Sequence, residues 1–321
     1  MSEPKFIHDD EYASVIDFTD LEHIELPDEE WLVKDLLVSG GRMLLYGPTG
    51  HGKSFVALSM AMAVVQGKPF LQKFPTRKGR VVYFATDDMG LNEWQPRIKE
   101  FMPSMNGAAH TPGSCVMIQA KINPDVTDLS VLEREWAKIV RQVDPILVVV
   151  DTVSFSHTLD GNSNATPGQV YSAWRRIAGS RPSMLLVGFD RKKSMNPDFR
   201  VDFGESAAGA HEWRSLVSAT AHVHMPDKHS KVMRFEVTKT PRNLADAIEF
   251  PVHIKGGLAT IGTDDWAEGW RLLSEGKDDE TAAKVLTGSG LKLGKARETI
   301  AEIREVMEFQ TEMALDKDLT E

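Results

Sequence analysis

The feature that most restricts how this chain can fold is the segment GPTGHGKS at residues 47–54. It matches the pattern G-x-x-x-x-G-K-S/T at every fixed position, and that pattern forms a loop connecting a strand to a helix. The mainly apolar residues 42–46 precede the loop, and residues 54–66, rich in helix-forming side chains, follow it as far as Gly67. The neighbouring sequence therefore predicts the strand and the helix that the loop requires.

The residue types in this loop suit the binding of a phosphate chain. Gly47 and Gly52 allow backbone angles that other residues resist, so that successive N–H groups can point inward at phosphate oxygens. Lys53 is expected to neutralise the β- and γ-phosphates and Ser54 to ligate Mg²⁺, beside the positive end of the following helix. The predicted cofactors are therefore ATP and Mg²⁺. The predicted nucleotide-binding residues are Gly47, Pro48, Thr49, Gly50, His51, Gly52, Lys53 and Ser54.

An acidic residue ends a second strand-like run. Asp151 is the last residue of the run 146–151, which reads ILVVVD. A carboxylate there can hold a Mg²⁺-bound water beside the loop, so Ser54 and Asp151 form the predicted metal site. The alternative is that Asp151 only caps a turn with Thr152.

Two further acids are candidates for activating the attacking water. Asp87 and Asp88 follow the β-rich run 81–85 and the linking Thr86. A catalytic base must come within hydrogen-bond reach of its water, and the end of a strand beside the loop is a suitable place. The alternative is that the two acids belong to a solvated turn.

Helix and strand patterns alternate through the first two thirds of the chain. The strands are nearly continuous apolar runs, which is typical of parallel strands that are covered on both faces. We therefore predict an α/β fold with a mostly parallel sheet flanked by helices. The predicted strands are 42–46, 81–85, 115–119, 146–151 and 184–189, and the predicted helices are 54–66, 91–101, 129–143, 168–179 and 205–217.

The pattern changes after the last of these helices. Short strand-like runs joined by turns predict antiparallel strands at the C-terminal edge of the sheet. They are 219–225, 231–238, 250–254 and 258–261. The predicted domains are an acidic N-terminal arm at 1–30, the α/β domain at 31–262, and a small helical tail at 263–321, with a helix-turn-helix as one interpretation of 278–306.

Composition restricts the cellular compartment and the binding partners that can be expected. The net charge of −10 excludes attraction to nucleic acid over the whole surface, so any DNA binding must use a local basic patch. The one cysteine, Cys115, cannot form an internal disulfide, and no membrane span or secretory signal is visible. A cytoplasmic protein without membrane partners is the expectation.

Several segments together resemble the RecA-like ATPases, and more closely the plasmid RepA-type group allied to the DnaB-type hexameric replicative helicases. They span about 31–262 and read WLVKDLL, GPTGHGKS, VVYFATDD, ILVVVDTVS, SMLLVGFDRKK, and the stretch from GESAAGAHEW to VTKTPRN. The resemblance implies a homo-oligomeric ring, usually a hexamer, with ATP bound between neighbouring subunits.

The same resemblance implies a cation that acts on the neighbouring subunit. Such families place a basic pair on a late strand to reach the γ-phosphate across the interface, and Lys239 and Arg242 match that position. Arg214 is the competing candidate. The alternative for Lys239 and Arg242 is that they only keep an edge strand soluble.

The chain departs from the family pattern at two places. The catalytic carboxylate of relatives is usually Glu, whereas Asp87, one methylene shorter, occupies the corresponding position here. Hydrolysis is therefore expected to be slow, or to recruit Asp88. Relatives often carry a His that senses the γ-phosphate, at the place where this chain has Gly188, Phe189 and Asp190.

The predicted DNA contacts lie in the polar loop 190–204. Its basic residues stand near Phe199 and Phe203, a combination that suits single-stranded DNA, although a solvated loop is the alternative. The candidate residues are Arg191, Lys192, Lys193 and Arg200.

Two further groups are weaker candidates. In the tail, Lys292, Lys295 and Arg297 could contact DNA, or the tail helices could simply be docked. His222 and His224, with His229 nearby, are interpreted as an ordinary strand and turn rather than as a metal site.

Two functions fit the sequence. The first is an ATP-driven hexameric helicase or translocase on single-stranded DNA in plasmid, phage or mobile-element replication, with replication proteins as partners. The second is an ATP-dependent regulatory or assembly module, a replication or recombination mediator, with slow hydrolysis.

Overall fold

The computed structural model describes residues 6–9, 14–16, 30–86, 91–101, 113–119, 129–156, 166–189, 210–226, 232–241, 248–255, 258–261 and 264–315. The chain divides into two compact units, Met1–Glu30 and Trp31–Glu321. In the described part of the first unit, strands β1 (Phe6–Asp9) and β2 (Ser14–Ile16) pair antiparallel.

The second unit is built around one large sheet. Within the described residues this sheet has nine strands in the order β13-β12-β11-β10-β5-β9-β8-β6-β7. Their bounds are β5 Arg42–Tyr46, β6 Val81–Ala85, β7 Cys115–Gln119, β8 Leu147–Asp151, β9 Ser183–Val187, β10 Ala219–His224, β11 Val232–Lys239, β12 Ile248–Lys255 and β13 Leu258–Ile261. A short antiparallel pair, β3 (Trp31–Val33) and β4 (Leu37–Val38), precedes them.

The sheet has a parallel part and an antiparallel part, as the sequence predicts. Strands β5 to β10 all pair in parallel. Strands β11, β12 and β13 continue from β10 as an antiparallel edge. The predicted α/β class, with antiparallel strands at the C-terminal edge, is confirmed.

Helices cover both faces of the parallel strands. They are α1 Lys53–Gln66, α2 Leu91–Phe101, α3 Leu129–Val143, α4 Thr166–Ala178 and α5 Ala210–Leu216, followed in the tail by α6 Asp264–Ser274, α7 Asp279–Gly288 and α8 Leu293–Leu315. No helix among the described residues is long and apolar enough to cross a membrane.

Neighbouring residues of each central strand point to opposite faces of the sheet and enter different parts of the core. Leu45 and Val149 belong to the cluster that includes α1, whereas Leu44 and Val148 belong to the cluster that includes Trp174 of α4. Both faces are therefore apolar. This explains why these strands appear in the sequence as uninterrupted hydrophobic runs.

The tail helices pack on the same unit as the sheet. Buried Ala282, Leu286 and Ile300 form the contact between α7 and α8, and the Asp278 side chain accepts a hydrogen bond from the Thr281 N–H at 2.9 Å to cap α7. The apolar side chain of Val285 lies outside this core and is 41% exposed, because the buried stripe of α7 runs along Ala282, Ala283 and Leu286.

Candidate nucleotide-binding site

The register of the parallel strands brings the predicted site residues to one edge of the sheet. Leu45 pairs with Val187, Val187 with Asp151, and Asp151 with Ala85. The carboxyl ends of β5, β9, β8 and β6 therefore lie side by side. In open α/β sheets ligands bind outside these ends, where connections leave the sheet in opposite directions.

The loop after β5 lies close against the antiparallel part of the sheet. A Cβ atom at Gly47 would collide with the backbone carbonyl of Val223 in β10, so this position requires glycine. Gly52 has φ +85° and precedes the first residue of α1, and a Cβ there would collide with the sulfur of Met233 in β11. The two glycines let the loop pass close to its neighbours while its backbone turns into the helix.

Lys53 is held inside its own loop. Its ammonium donates hydrogen bonds to the carbonyl oxygens of Gly47 and Pro48, both at 2.8 Å, and lies 4.7 Å from the ring centroid of Phe189. The residue is only 5% exposed. A phosphate oxygen that binds Lys53 would exchange with these neutral carbonyl acceptors and form a stronger, charge-assisted hydrogen bond.

Asp151 provides a buried acceptor that is only half satisfied. It is fully buried, its Oδ2 accepts a hydrogen bond from the Tyr83 hydroxyl at 2.7 Å, and its Oδ1 has no hydrogen-bond partner among the described residues. Burial raises the pKa of Asp151, while the Tyr83 bond, the nearby Ser54 hydroxyl and the charges of Lys53 and Arg97 act to lower it.

These donors fit a hard divalent cation. Mg²⁺ takes oxygen ligands, and it is commonly held by one or two protein oxygens together with phosphates and water. The hydroxyl of Ser54, in the first turn of α1, and the unpartnered Oδ1 of Asp151, at the end of β8, supply such a pair. The donor set therefore fits the predicted metal.

Two residues at this site are absent from the sequence predictions. Tyr83 contacts Asp151, and Arg97 of α2 stacks near the rings of Trp94 and Phe55, with its guanidinium carbon 5.2 and 5.5 Å from their centroids. Only their positions in the sequence could have indicated them. Tyr83 lies two residues before the end of β6, and α2 begins directly after the segment that contains Asp87.

The structure describes the boundaries of that segment but not the segment itself. Thr86 donates its N–H to the carbonyl of Asp151 at 2.8 Å and its hydroxyl to the carbonyl of Thr152 at 2.5 Å. The chain therefore leaves β6 beside Asp151. The predicted site residues that lie outside the described residues are Asp87, Asp88, Arg191, Lys192, Lys193, Arg200 and Arg242.

The rival candidates for the trans-acting cation lie together. The Lys239 ammonium donates to the carbonyl oxygens of Arg214 and Val217, both at 2.6 Å, at the C-terminal end of α5. Arg214 donates in turn to the carbonyl of Thr238 at 3.4 Å. Burial and the Arg214 charge lower the pKa of Lys239. Lys239 and Arg214 thus belong to one cluster at the start of the antiparallel edge.

His51 connects the loop to the end of β10. Its Nδ1 accepts the backbone N–H of Met225 at 2.8 Å, which fixes the proton of the neutral ring on Nε2. Within β10, His222 is 1% exposed and stacks on His224, with ring centroids 4.9 Å apart. The described residues contain no cluster of His, Cys, Asp or Glu that could hold a metal ion, and His229 lies outside them.

The cations of the tail are engaged with neighbouring acids. Arg297 pairs with Glu280 at 3.0 Å, and Lys295 pairs with Glu298 at 2.9 Å. Lys292 is exposed before the start of α8. The first pair joins α8 to α7, whereas the second lies within α8.

Residues 10–187 match the AAA domain family. The chain belongs to this family. The match covers the loop, Asp151 and the strands that carry them, and the AAA-domain chain is therefore a P-loop ATPase. No curated protein matches it by sequence.

A solved structure supports the fold of this AAA-domain protein. A KaiC-like protein of the hyperthermophilic archaeon Pyrococcus horikoshii OT3 superimposes with a TM-score of 0.50 at 10% sequence identity, over 74% of this chain and 96% of that chain. At this identity the likeness concerns the fold alone. It confirms the predicted RecA-like class, while the narrower RepA- and DnaB-type resemblance stays a prediction.

Proposed function

We propose that this AAA-domain protein is an ATP-hydrolysing, ring-forming motor that translocates on single-stranded DNA. The observation that best supports Mg²⁺-dependent hydrolysis is the fully buried Asp151 carboxylate, whose Oδ1 lacks a partner beside the phosphate-binding loop. A buried charged oxygen without a partner is costly in a site that only maintains the fold. It is expected where a cation binds.

In this proposal each residue of the site has one task. The backbone N–H groups of 47–54 bind the phosphates, and Lys53 transfers its hydrogen bonds from the loop carbonyls to phosphate oxygens. Ser54 and Asp151 would hold Mg²⁺, which when bound would neutralise charge on the phosphates. Asp87, or Asp88 in its place, orients the attacking water.

The ring and its trans-acting cation are the finer part of the proposal. ATP would lie between subunits, with Lys239 and Arg242 of one subunit directed at the γ-phosphate of the next. Lys239 is now bonded to the end of α5, so its use in catalysis requires an exchange of two carbonyl acceptors for phosphate oxygens. Such an exchange would link hydrolysis to the position of α5.

DNA would bind through the basic residues of the loop 190–204. The strand β9 ends at Val187 on the same edge of the sheet as Asp151, and the loop follows it directly. This connection supports a coupling between ATP hydrolysis and DNA binding, because one short segment would join the nucleotide site to the DNA-binding loop. Arg191, Lys192, Lys193 and Arg200 are the proposed contacts.

A second candidate function is ATP-directed assembly with slow hydrolysis. The feature that favours it is the Asp at position 87, where the related helicases have Glu. In such a module the nucleotide would join subunits, and replication proteins or DNA would be recruited by the assembled ring.

Unwinding of a forked duplex separates the two candidates. The motor is expected to separate the strands in the presence of ATP and Mg²⁺, and Lys53→Ala should abolish this activity. ATP-dependent ring formation, measured by mass photometry, together with negligible turnover would contradict the motor and support the assembly module.

A further inference from the structure

The contact between Tyr83 and Asp151 follows from the register of two neighbouring parallel strands. Tyr83 of β6 pairs with Val149 of β8, and Asp151 lies two residues further along β8 on the same face. A tyrosine side chain is long enough to reach this diagonal neighbour. The hydroxyl arrives at 2.7 Å from Oδ2, and both residues are fully buried.

This hydrogen bond makes the two carboxylate oxygens of Asp151 unequal. Oδ2 accepts from the phenol, and Oδ1 has no hydrogen-bond partner among the described residues. A phenol donates one hydrogen bond without bringing a positive charge. It therefore fixes the carboxylate while leaving its negative charge available to a cation, whereas a lysine or arginine in this place would compete with that cation.

The ring of Tyr83 is itself held by α2. The indole of Trp94, which is 1% exposed, packs edge-on against it with centroids 5.5 Å apart. Arg97 stacks near the same indole at 5.2 Å and contributes to the electrostatic environment of Asp151. Trp94 of α2 therefore packs directly against the phenol that orients the carboxylate, and Arg97 packs behind Trp94.

We propose that Tyr83 is the positioning residue of the Mg²⁺ site: it holds Oδ2 of Asp151 so that Oδ1 is presented to the metal. The inference rests on the proposed Mg²⁺-dependent nucleotide hydrolysis. It adds a residue that touches neither nucleotide nor metal and acts only through Asp151. Partners of this kind orient metal-binding carboxylates in many metal sites.

The test compares nucleotide binding with and without the metal. Tyr83→Phe removes only the hydroxyl and keeps the ring against Trp94. Binding of mant-ADP to the full-length protein is measured by fluorescence in Mg²⁺ and in EDTA. In Mg²⁺ the variant should bind mant-ADP about 10-fold or more weakly than the wild type, which is the loss expected when the partner of a metal ligand is removed. In EDTA the two proteins should bind mant-ADP equally.

A matched control is available on another parallel strand. Tyr46 of β5 is 1% exposed, and its hydroxyl lies 3.2 Å from the Thr238 hydroxyl. Tyr46→Phe removes the same group from a similarly buried tyrosine, yet it should leave the gain from Mg²⁺ unchanged. The EPR signal of Mn²⁺ titrated into the ADP complex gives a second readout that does not depend on turnover.

The outcomes separate this inference from the proposed function. An unchanged gain from Mg²⁺ in Tyr83→Phe would overturn the positioning role and leave Mg²⁺-dependent binding intact. A wild-type protein that gains no affinity from Mg²⁺ would instead overturn the proposed function. If Tyr83→Phe does not fold, Trp94→Leu removes the ring that holds the phenol, and an unchanged gain there overturns the proposal.

Discussion

Gln310 binds both polar backbone groups of Thr76 with one side chain. Its Oε1 accepts the Thr76 N–H at 2.7 Å, and its Nε2 donates to the Thr76 carbonyl at 2.9 Å and to the Gly67 carbonyl at 3.0 Å. Gly67 ends the helix that begins at Lys53. Helix α8 is therefore bonded to the C-terminal end of the nucleotide-site helix, and the tail is part of the same compact unit.

Gln310→Ala should destabilise the protein. The substitution leaves the polar backbone groups of Thr76 and the carbonyl of Gly67 without their partner, at an expected cost of about 1–3 kcal/mol in the free energy of unfolding. Urea unfolding measures the difference. Glu308→Ala, at an exposed position of the same helix, is the control and should change stability by less than about 0.5 kcal/mol. Equal effects of the two variants would show that the Gln310 bonds contribute nothing.

Asp151→Asn should stabilise the nucleotide-free protein while abolishing Mg²⁺-dependent turnover. The carboxylate is fully buried with one unpartnered oxygen, and a neutral amide of the same shape costs less to bury than a charge. Thermal unfolding and phosphate release are the two measurements. Asp144→Asn is the matched control, because Asp144 is about half exposed and has φ +48°, which asparagine tolerates.

The control variant should match the wild type in both measurements. A lower melting temperature for Asp151→Asn would contradict the view that this carboxylate is retained for binding a cation at the expense of stability.

Cys115 should react very slowly with thiol reagents while the protein is folded. Cys115 is partly buried at the start of β7, and this burial raises the pKa of its thiol to about 12, so at pH 8 the reactive thiolate is roughly a thousandfold scarcer than for an exposed cysteine. Because the chain has one cysteine, the rate of reaction with Ellman's reagent reports on this site alone. The rate should rise about tenfold per pH unit from pH 8 to pH 10. A plateau near pH 9, as in the urea-unfolded chain, would contradict the burial of the thiol.

The assignment of Lys239 can be tested by mixing two inactive variants. Lys53→Ala subunits lack the loop cation but retain Lys239, and Lys239→Ala subunits have the reverse defect. If the two residues complete one site from neighbouring subunits, mixed rings contain some intact sites and should recover ATP turnover. Each variant alone should remain inactive.

The mixing result depends on both variants being folded, since Lys239 also bonds to two carbonyls at the end of α5. Far-UV circular dichroism checks this. A mixture no more active than its components would show that Lys239 does not act in trans. Full activity of Lys239→Ala alone would show that it does not act in catalysis.

Much of the fold could be predicted because its signals are local. The apolar run 146–151 indicates a strand covered on both faces, and the structure has Leu147–Asp151 at that place. The loop at 47–54 specifies the strand before it and the helix after it. The order of the strands in the sheet is set by pairing between distant residues, so no local signal in the sequence predicts it.

The partners of the site residues could not be predicted for the same reason. Tyr83 reaches Asp151 because β6 lies beside β8 in a particular register, and a shift of one residue would turn its side chain to the other face. Lys239 meets Arg214 only after α5 and β11 have packed. Val285 matched the apolar pattern of its helix, yet the width of the buried stripe depends on the contact with α8.

The most direct test of the account is phosphate release from ATP by the wild-type protein, in Mg²⁺ and in EDTA, with and without single-stranded DNA. We predict release that requires Mg²⁺, increases when single-stranded DNA is added, and is lost in Asp151→Asn. Absence of Mg²⁺-dependent release, or equal release from wild type and Asp151→Asn, would contradict the assignment of this edge of the sheet as a hydrolytic nucleotide site.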